Sequence, residues 1–318
     1  MTVMITNSLT RVSSTESSQP GGFRDPVFLL APPRSYSTVS IALLAGHPLL
    51  YGLPETNLFT GETLGEQISA ANRLGVKNAW TQFTGLARAV AQLHEGRQDP
   101  AALSRAAVWL RERSAESPKQ LMDHLLGLVS PRIGIEKSPL TVGSAQALTT
   151  CMRAYPNARY LHLVRHPVST QRSMLALHDT FLFPPQMTRH ERVRRCLLTW
   201  YSCHLRIEQA MRALPTGQWL RVRAEDLIGR PRTWLPHVLD WLGLDHDEAI
   251  IGRMIQTEQW EFARWGEEAG FGGGDPKFLN DPGLRPVPPP APDVIDPGWG
   301  ISDGARERIA TLARHLGY

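Results

Sequence analysis

The chain has 318 residues, of which 42% are hydrophobic and 20% charged, with a formal net charge of +4. This is the composition of a soluble globular enzyme with chain enough for one large domain. No window reaches the roughly 18 uninterrupted apolar residues of a membrane span, so no membrane partner is expected. The mild basicity is open to two readings, a nucleic-acid binder or a protein that grips a small anion. Arginine is spread along the chain, and lysine is confined to Lys77, Lys119, Lys137 and Lys277. Cys151, Cys196 and Cys203 form no CxxC element and read as small buried hydrophobes. The histidines show no paired metal spacing, so no metal site is expected.

Residues 1–22 are rich in Ser and Thr, end in Gln19-Pro20-Gly21-Gly22, and read as a disordered tail ahead of a single domain over 23–318. They lack the apolar core of a signal peptide, which makes a cytoplasmic location the default expectation. Pro26–Ala31 is predicted as a buried strand, followed by a helix from Ser37 to Gly46 and a short strand at Leu49–Leu53. Apolar spacing of three and four, as in Leu86, Val90 and Leu93, predicts consecutive helices from Leu64 to Val129. Ile133–Ile135 reads as a strand, Val142–Arg153 as a helix, and Arg159–Val164 as a strand closed by Arg165-His166-Pro167. Pro167 suits the first turn of the next helix. A long helix follows over Thr188–Leu214, then a strand at Trp219–Val222 and helices to Ile255. The Gly- and Pro-dense stretch Phe262–Gly300 is expected to be an irregular arm, and Ser302–Leu316 a closing helix. Alternating strands and helices predict an α/β fold: a P-loop-like parallel sheet flanked by helices, with a helical insertion and an irregular C-terminal arm.

Four segments carry chemistry. In Phe28–Val39 a strand turns through Arg34, Ser35, Tyr36, Ser37 and Thr38 into a helix, an arrangement that cradles anions with backbone N–H groups and the helix dipole. A simply capped helix explains the same pattern equally well. In Tyr160–Ser173, Arg165 ends a strand where open α/β sheets bind ligands. Ser173 lies eight residues further on and joins Arg165 at one phosphate only if the loop folds back. His162 reads as a packed strand residue. In Gly134–Pro139, Lys137 at a strand end can touch a transferring group as a point charge. In Leu220–Leu227 a strand closes on an acidic helix start.

In this order, the P-R-S-x-S/T loop, E-K-S-P, L-V-R-x-P with serine eight after arginine, and E-D-L resemble the PAPS-dependent sulfotransferase family (PAPS is 3′-phosphoadenosine 5′-phosphosulfate). The likeness runs from about Phe23 to Arg285. It is nearest to bacterial enzymes of secondary metabolism and carbohydrate modification, supported by Tyr51–Phe59 and Gly272–Phe278. The resemblance implies PAPS as co-substrate without a metal, and a small-molecule hydroxyl acceptor, free or tethered to a carrier protein. It assigns Arg34, Ser35, Tyr36, Ser37 and Thr38 to the 5′-phosphosulfate loop, and Arg165 and Ser173 to the 3′-phosphate. Lys137 is assigned to the bridging oxygen, and Gly274 and Lys277 to a loop that closes over the nucleotide. Tyr36 stands where many members carry glycine, and Ala224 where many carry a tyrosine near the adenine. Met1–Ser8 resembles the β-galactosidase α-peptide of cloning vectors and is set aside from the fold argument.

Sulfuryl transfer needs a base for the acceptor hydroxyl. Ile133–Leu148 holds no histidine, which favours a carboxylate. Glu55 is the first candidate: Leu53-Pro54-Glu55 resembles the glutamate position of trehalose-type bacterial sulfotransferases. Glu136 is the second, by resemblance to heparan enzymes, although strand alternation sets it opposite Lys137. A P-loop kinase is disfavoured because the GK[ST] lysine is lacking, and a non-catalytic nucleotide or nucleic-acid binder does not account for the carboxylate. Trp80, Phe83, Trp109, Trp260, Phe262 and Trp265 are candidate walls of an acceptor pocket, with core packing as the plainer explanation.

Overall fold

The computed structural model describes residues 24–73, 82–181, 187–265, 272–295 and 299–318. The expected tail and Trp80 lie outside them. The chain opens with β1 (Val27–Leu30), α1 (Ser37–Ala45) and β2 (Leu50–Gly52). Four helices make up the insertion: α2 (Leu64–Arg73), α3 (Thr84–Glu95), α4 (Pro100–Glu112) and α5 (Pro118–Val129). Next come β3 (Ile133–Glu136), α6 (Ala145–Ala154), β4 (Arg159–Val164), α7 (Pro167–Phe181) and α8 (Arg189–Met211). The remainder is β5 (Trp219–Arg223), α9 (Ala224–Gly229), α10 (Pro231–Leu242), α11 (Glu248–Met254), α12 (Pro276–Asn280) and α13 (Asp303–His315).

The strands form one sheet in the order β2-β3-β1-β4-β5, with every neighbouring pair parallel. Flanking helices bury the central strands, and these read as unbroken apolar runs such as Val27-Phe28-Leu29-Leu30 rather than as an alternation. The chain moves outward from β1 to β2, returns through β3, then crosses to β4 and β5 on the far side of β1. That reversal opens a crevice at the carboxyl ends of β1 and β4, the place where such sheets bind ligands. Phe28 anchors the core beneath it, with the rings of Phe59, Tyr155 and Tyr160 at 5.6, 5.5 and 5.9 Å. A second apolar cluster joins Val168 of α7, Leu197 and Trp200 of α8 and Ile309 and Leu312 of α13.

Two sequence expectations are corrected. The helix expected from Val142 starts at Ala145: Pro139–Val142 is a 3-10 turn, and Ser144 Oγ accepts from Ala147 N at 3.0 Å, so the serine caps α6. The arm after Phe262 is not wholly irregular, because Asp275 caps the short helix α12, accepting from Lys277 N at 3.0 Å. Among the described residues no helix is long and apolar enough to cross a membrane.

Candidate active site

Four loops at the carboxyl ends of neighbouring strands converge. The loop after β1 bends sharply, with Arg34 at φ 65° and Tyr36 at φ 61°, both left-handed. Glycine is the usual residue for that conformation, yet Tyr36 adopts it as the N-cap residue of α1. Its ring lies under the Arg165 guanidinium, 3.8 Å from the centroid, a contact that offsets part of the backbone strain. The turn buries Ser35, Ser37 and Thr38 at the start of α1, where unpaired helix N–H groups favour an anion.

Arg165, directly after β4, donates from Nη1 to the Arg34 carbonyl at 2.5 Å. Arg34 Nε in turn donates to Ser173 Oγ on α7 at 3.1 Å. The loop therefore folds back far enough to gather Arg34, Arg165 and Ser173 at one place. Burial lowers the pKa of Arg165 from the ordinary arginine value. Two buried polar atoms here, Ser35 Oγ and Arg165 Nε, have no hydrogen-bond partner among the described residues. Orphaned donors beside two arginines fit a bound polyanion.

On the other side of β1, Lys137 follows β3 and is buried, its side chain only 1% exposed. Its ammonium donates to Thr38 Oγ1 at 2.9 Å and also contacts the Glu55 carboxylate. Glu55 stands just beyond β2, held by its backbone N–H to the Gly273 carbonyl at 2.8 Å. A lysine, a carboxylate and the anion loop thus meet at one point. Glu136 does not join them. It is buried within β3, and its Oε1 accepts from Thr56 N at 3.3 Å, Thr56 Oγ1 at 2.8 Å and Ser138 Oγ. Burial raises its pKa above the usual carboxylate value, and the hydrogen bonds from Ser138 and Thr56 counter that in part.

The glycine-rich arm closes the site from above. Gly274 packs on Thr38, where an added Cβ would stand 3.1 Å from Thr38 Cγ2. Asp275 N donates to Thr38 Oγ1 at 2.9 Å, and the Asp275 carboxylate pairs with Arg34 at 2.6 Å. Lys277 is exposed. Sequence reasoning missed Asp275, whose only local signal is a cap residue before Pro276. It also missed Arg88 on α3, buried and tied to the Gly272 carbonyl, the Arg264 carbonyl at 2.6 Å and Gln98 Oε1 at 2.7 Å. Most of the candidate pocket aromatics are packing residues, as the plainer explanation had it. Phe83 and Phe262 are buried, Trp260 is buried with its indole on the Gly52 carbonyl at 2.8 Å, and Trp109 packs against His94, His124 and Arg113. Trp265 hydrogen-bonds Asn280. The three cysteines are free and buried. Among the described residues no group of three or more His, Cys, Asp or Glu could hold a metal ion.

Residues 26–248 match the model of the sulfotransferase family. The chain belongs to that family. The sulfotransferase also resembles solved structures over nearly its whole length. One is the sulfotransferase domain from the Synechococcus PCC 7002 olefin synthase, at 25% identity over 93% of this chain and 95% of that one, with a TM-score of 0.68. Another is the sulfotransferase domain from the curacin biosynthetic pathway, at 19% identity over 92% and 98% with a TM-score of 0.70, a likeness of fold. A comparison with curated proteins finds no match. The sulfotransferase fold accounts for the loop after β1, since sulfuryl transfer, like phosphoryl transfer, needs an anion cradle with fixed positive charge.

Proposed function

We propose that this sulfotransferase moves the sulfuryl group of PAPS to a hydroxyl of a small-molecule acceptor, free or carrier-tethered, by in-line displacement with Glu55 as general base. The observation that carries the reading is the double contact of Lys137, with Thr38 of the anion loop on one side and Glu55 on the other. PAPS supplies the sulfuryl group and a nucleotide leaving group. Arg34 and the segment Ser35, Tyr36, Ser37 and Thr38 hold its 5′-phosphosulfate through backbone N–H groups, hydroxyls and charge. Arg165 and Ser173 hold the 3′-phosphate, and Gly274 and Lys277 belong to the arm over the nucleotide.

Lys137 offsets the charge that develops on the bridging oxygen as the bond to sulfur lengthens. Glu55 takes the proton of the attacking hydroxyl, an effect worth about 10²- to 10⁴-fold. The Lys137–Glu55 contact keeps the base next to the residue that serves the leaving group, so that the attacking hydroxyl and the sulfuryl donor are brought to the same crevice. Glu136 is a poorer base because its accepting oxygen is already filled by donors and enclosed. The olefin synthase domain comes from a biosynthetic enzyme, which favours a biosynthetic intermediate as the acceptor.

The test is transfer of label from [35S]PAPS to 2-naphthol, 1-octanol, glucose and a hydroxyacyl pantetheine thioester, by wild type and Glu55→Gln. The reading expects label on at least one hydroxyl and its loss in the variant. Wild-type rates retained by Glu55→Gln would reject it as the base, and absence of transfer to every acceptor would contradict the acceptor class.

A further inference from the structure

We infer that Glu136 is a positioning residue whose buried carboxylate ties the turn carrying Glu55 to the strand end carrying Lys137. This rests on the functional reading above and adds a residue to it. The two chain segments run side by side after β2 and β3. Leu53 N donates to the Ile135 carbonyl at 2.8 Å, the last backbone bond between them. Beyond it the sheet ladder ends and side chains take over. Glu136 Oε1 collects Thr56 N, Thr56 Oγ1 and Ser138 Oγ, and Ser138 Oγ also accepts from Asn57 N at 2.9 Å. Asn57, left-handed at φ 54°, fixes the far end of the turn through Nδ2 to the Gln82 carbonyl at 2.8 Å.

The reacting pair sits between these bonds: Glu55 immediately before Thr56, and Lys137 between Glu136 and Ser138. A shift of Thr56 relative to Glu136 therefore moves Glu55 relative to Lys137. Misplacement by about 1 Å costs up to about 10²-fold in rate, so such a clamp acts on turnover rather than on nucleotide binding. A buried carboxylate is an expensive way to fill a core position. Here one oxygen accepts from both segments at once, which an apolar residue cannot do.

The proposal is tested with Glu136→Ala, Glu136→Gln and Thr56→Val. The readouts are transfer from [35S]PAPS to whichever acceptor of the panel wild type uses fastest, calorimetric binding of 3′-phosphoadenosine 5′-phosphate (PAP), and 15N NMR of the lysine side chains. The chain has lysine at 77, 119, 137 and 277 alone, and the Lys137 ammonium, buried and paired, should give a slowly exchanging signal. Glu136→Ala and Thr56→Val should lose or shift that signal and lower kcat about 10- to 100-fold. The Kd for PAP and KM for PAPS should stay within about 2-fold of wild type, as expected when an interaction acts only in the transition state. Glu136→Gln keeps an accepting oxygen and should recover most of the loss.

Unchanged kcat and an unchanged Lys137 signal in Glu136→Ala and Thr56→Val would overturn the proposal. So would Glu136→Gln as inactive as Glu55→Gln with its fold and its Lys137 signal unchanged, which would make Glu136 the base. If Glu136→Ala does not fold, Thr56→Val decides. Failure of wild type to bind PAP would instead reject the functional reading, and the Lys137 signal in the variants would still decide whether the tie holds.

Discussion

Arg34 and Asp275 form an ion pair at 2.6 Å, joining the loop after β1 to the glycine-rich arm. The Asp275 carboxylate thereby holds the same guanidinium that is proposed to hold the phosphosulfate. On the proposed binding mode the two anions compete for it, and the nucleotide would displace the carboxylate that latches the arm.

It follows that Asp275→Asn, which can still cap α12, should bind PAP about 2- to 5-fold more tightly than wild type, the range of a partly exposed ion pair. Arg34→Ala should weaken binding roughly 10- to 100-fold, the worth of a charged hydrogen bond. Calorimetric titration of both variants measures this. Weaker binding by Asp275→Asn would show that the aspartate assists the nucleotide instead.

Tyr36 carries a left-handed backbone and stacks on Arg165. Tyr36→Ala keeps the strain and loses the stacking, whereas Tyr36→Gly loses the stacking and relieves the strain. Urea unfolding should find the alanine variant less stable than the glycine variant by about 1 kcal/mol, the left-handed penalty of a residue with a Cβ. Both should bind PAP less well than wild type, because Arg165 loses the surface that orients it.

Gly85 at the start of α3 touches both sides of the site. A Cβ there would stand 2.2 Å from the Glu55 carbonyl oxygen and 2.9 Å from Gly273 Cα. Gly85→Ala should push the Glu55 turn away from the arm, destabilise the protein by about 1–3 kcal/mol, and lower kcat at least as much as Glu136→Ala. Thermal unfolding with the transfer assay checks both effects.

Beneath Arg165, a buried cluster predicts a pH dependence of stability. His162 Nε2 lies 2.9 Å from His204 Nδ1, and Glu208 contacts His162 at 3.0 Å, Arg221 at 2.5 Å and His315 at 2.6 Å. Burial lowers His162 and takes His204 well below the ordinary histidine range. For Glu208, burial raises the pKa, but His162, His315 and Arg221 outweigh it and leave the carboxyl low. Between the folded histidine pKa values and the unfolded value of about 6.5, the unfolded chain binds more protons. The contribution is therefore fully present above about 6.5 and is lost as the pH falls. The Tm should drop from pH 7.5 to pH 5, and His204→Gln, which cannot charge, should show a smaller drop.

The parts of the site visible in the sequence are those written in contiguous residues. The run Val27–Leu30 before Arg34 and the run Arg159–Val164 before Arg165 and Pro167 mark strand ends without any tertiary information, and Lys137 is marked in the same way by Ile133–Glu136. Asp275 and Arg88 escaped because each is defined by a partner far along the chain. Arg88 in particular looks like any surface arginine of an amphipathic helix until it turns inward to the carbonyls of Gly272 and Arg264. The aromatic residues stayed open to two readings for the complementary reason. A tryptophan suits a pocket wall and a core equally, and only burial separates them, as it does for Trp260. Alternation did set Glu136 opposite Lys137. The clamp it forms depends on Thr56, a long-range partner that no local pattern reveals.

Recognition of a 3′-phosphate by Arg165 in the crevice is tested most directly by calorimetry of PAP beside AMP, ADP and ATP. Wild type should bind PAP tightly and the others weakly, and Arg165→Ala should lose that preference while keeping its fold. Equal affinity for PAP and AMP, a preference for ATP with magnesium, or an unchanged preference in Arg165→Ala would contradict that role of Arg165.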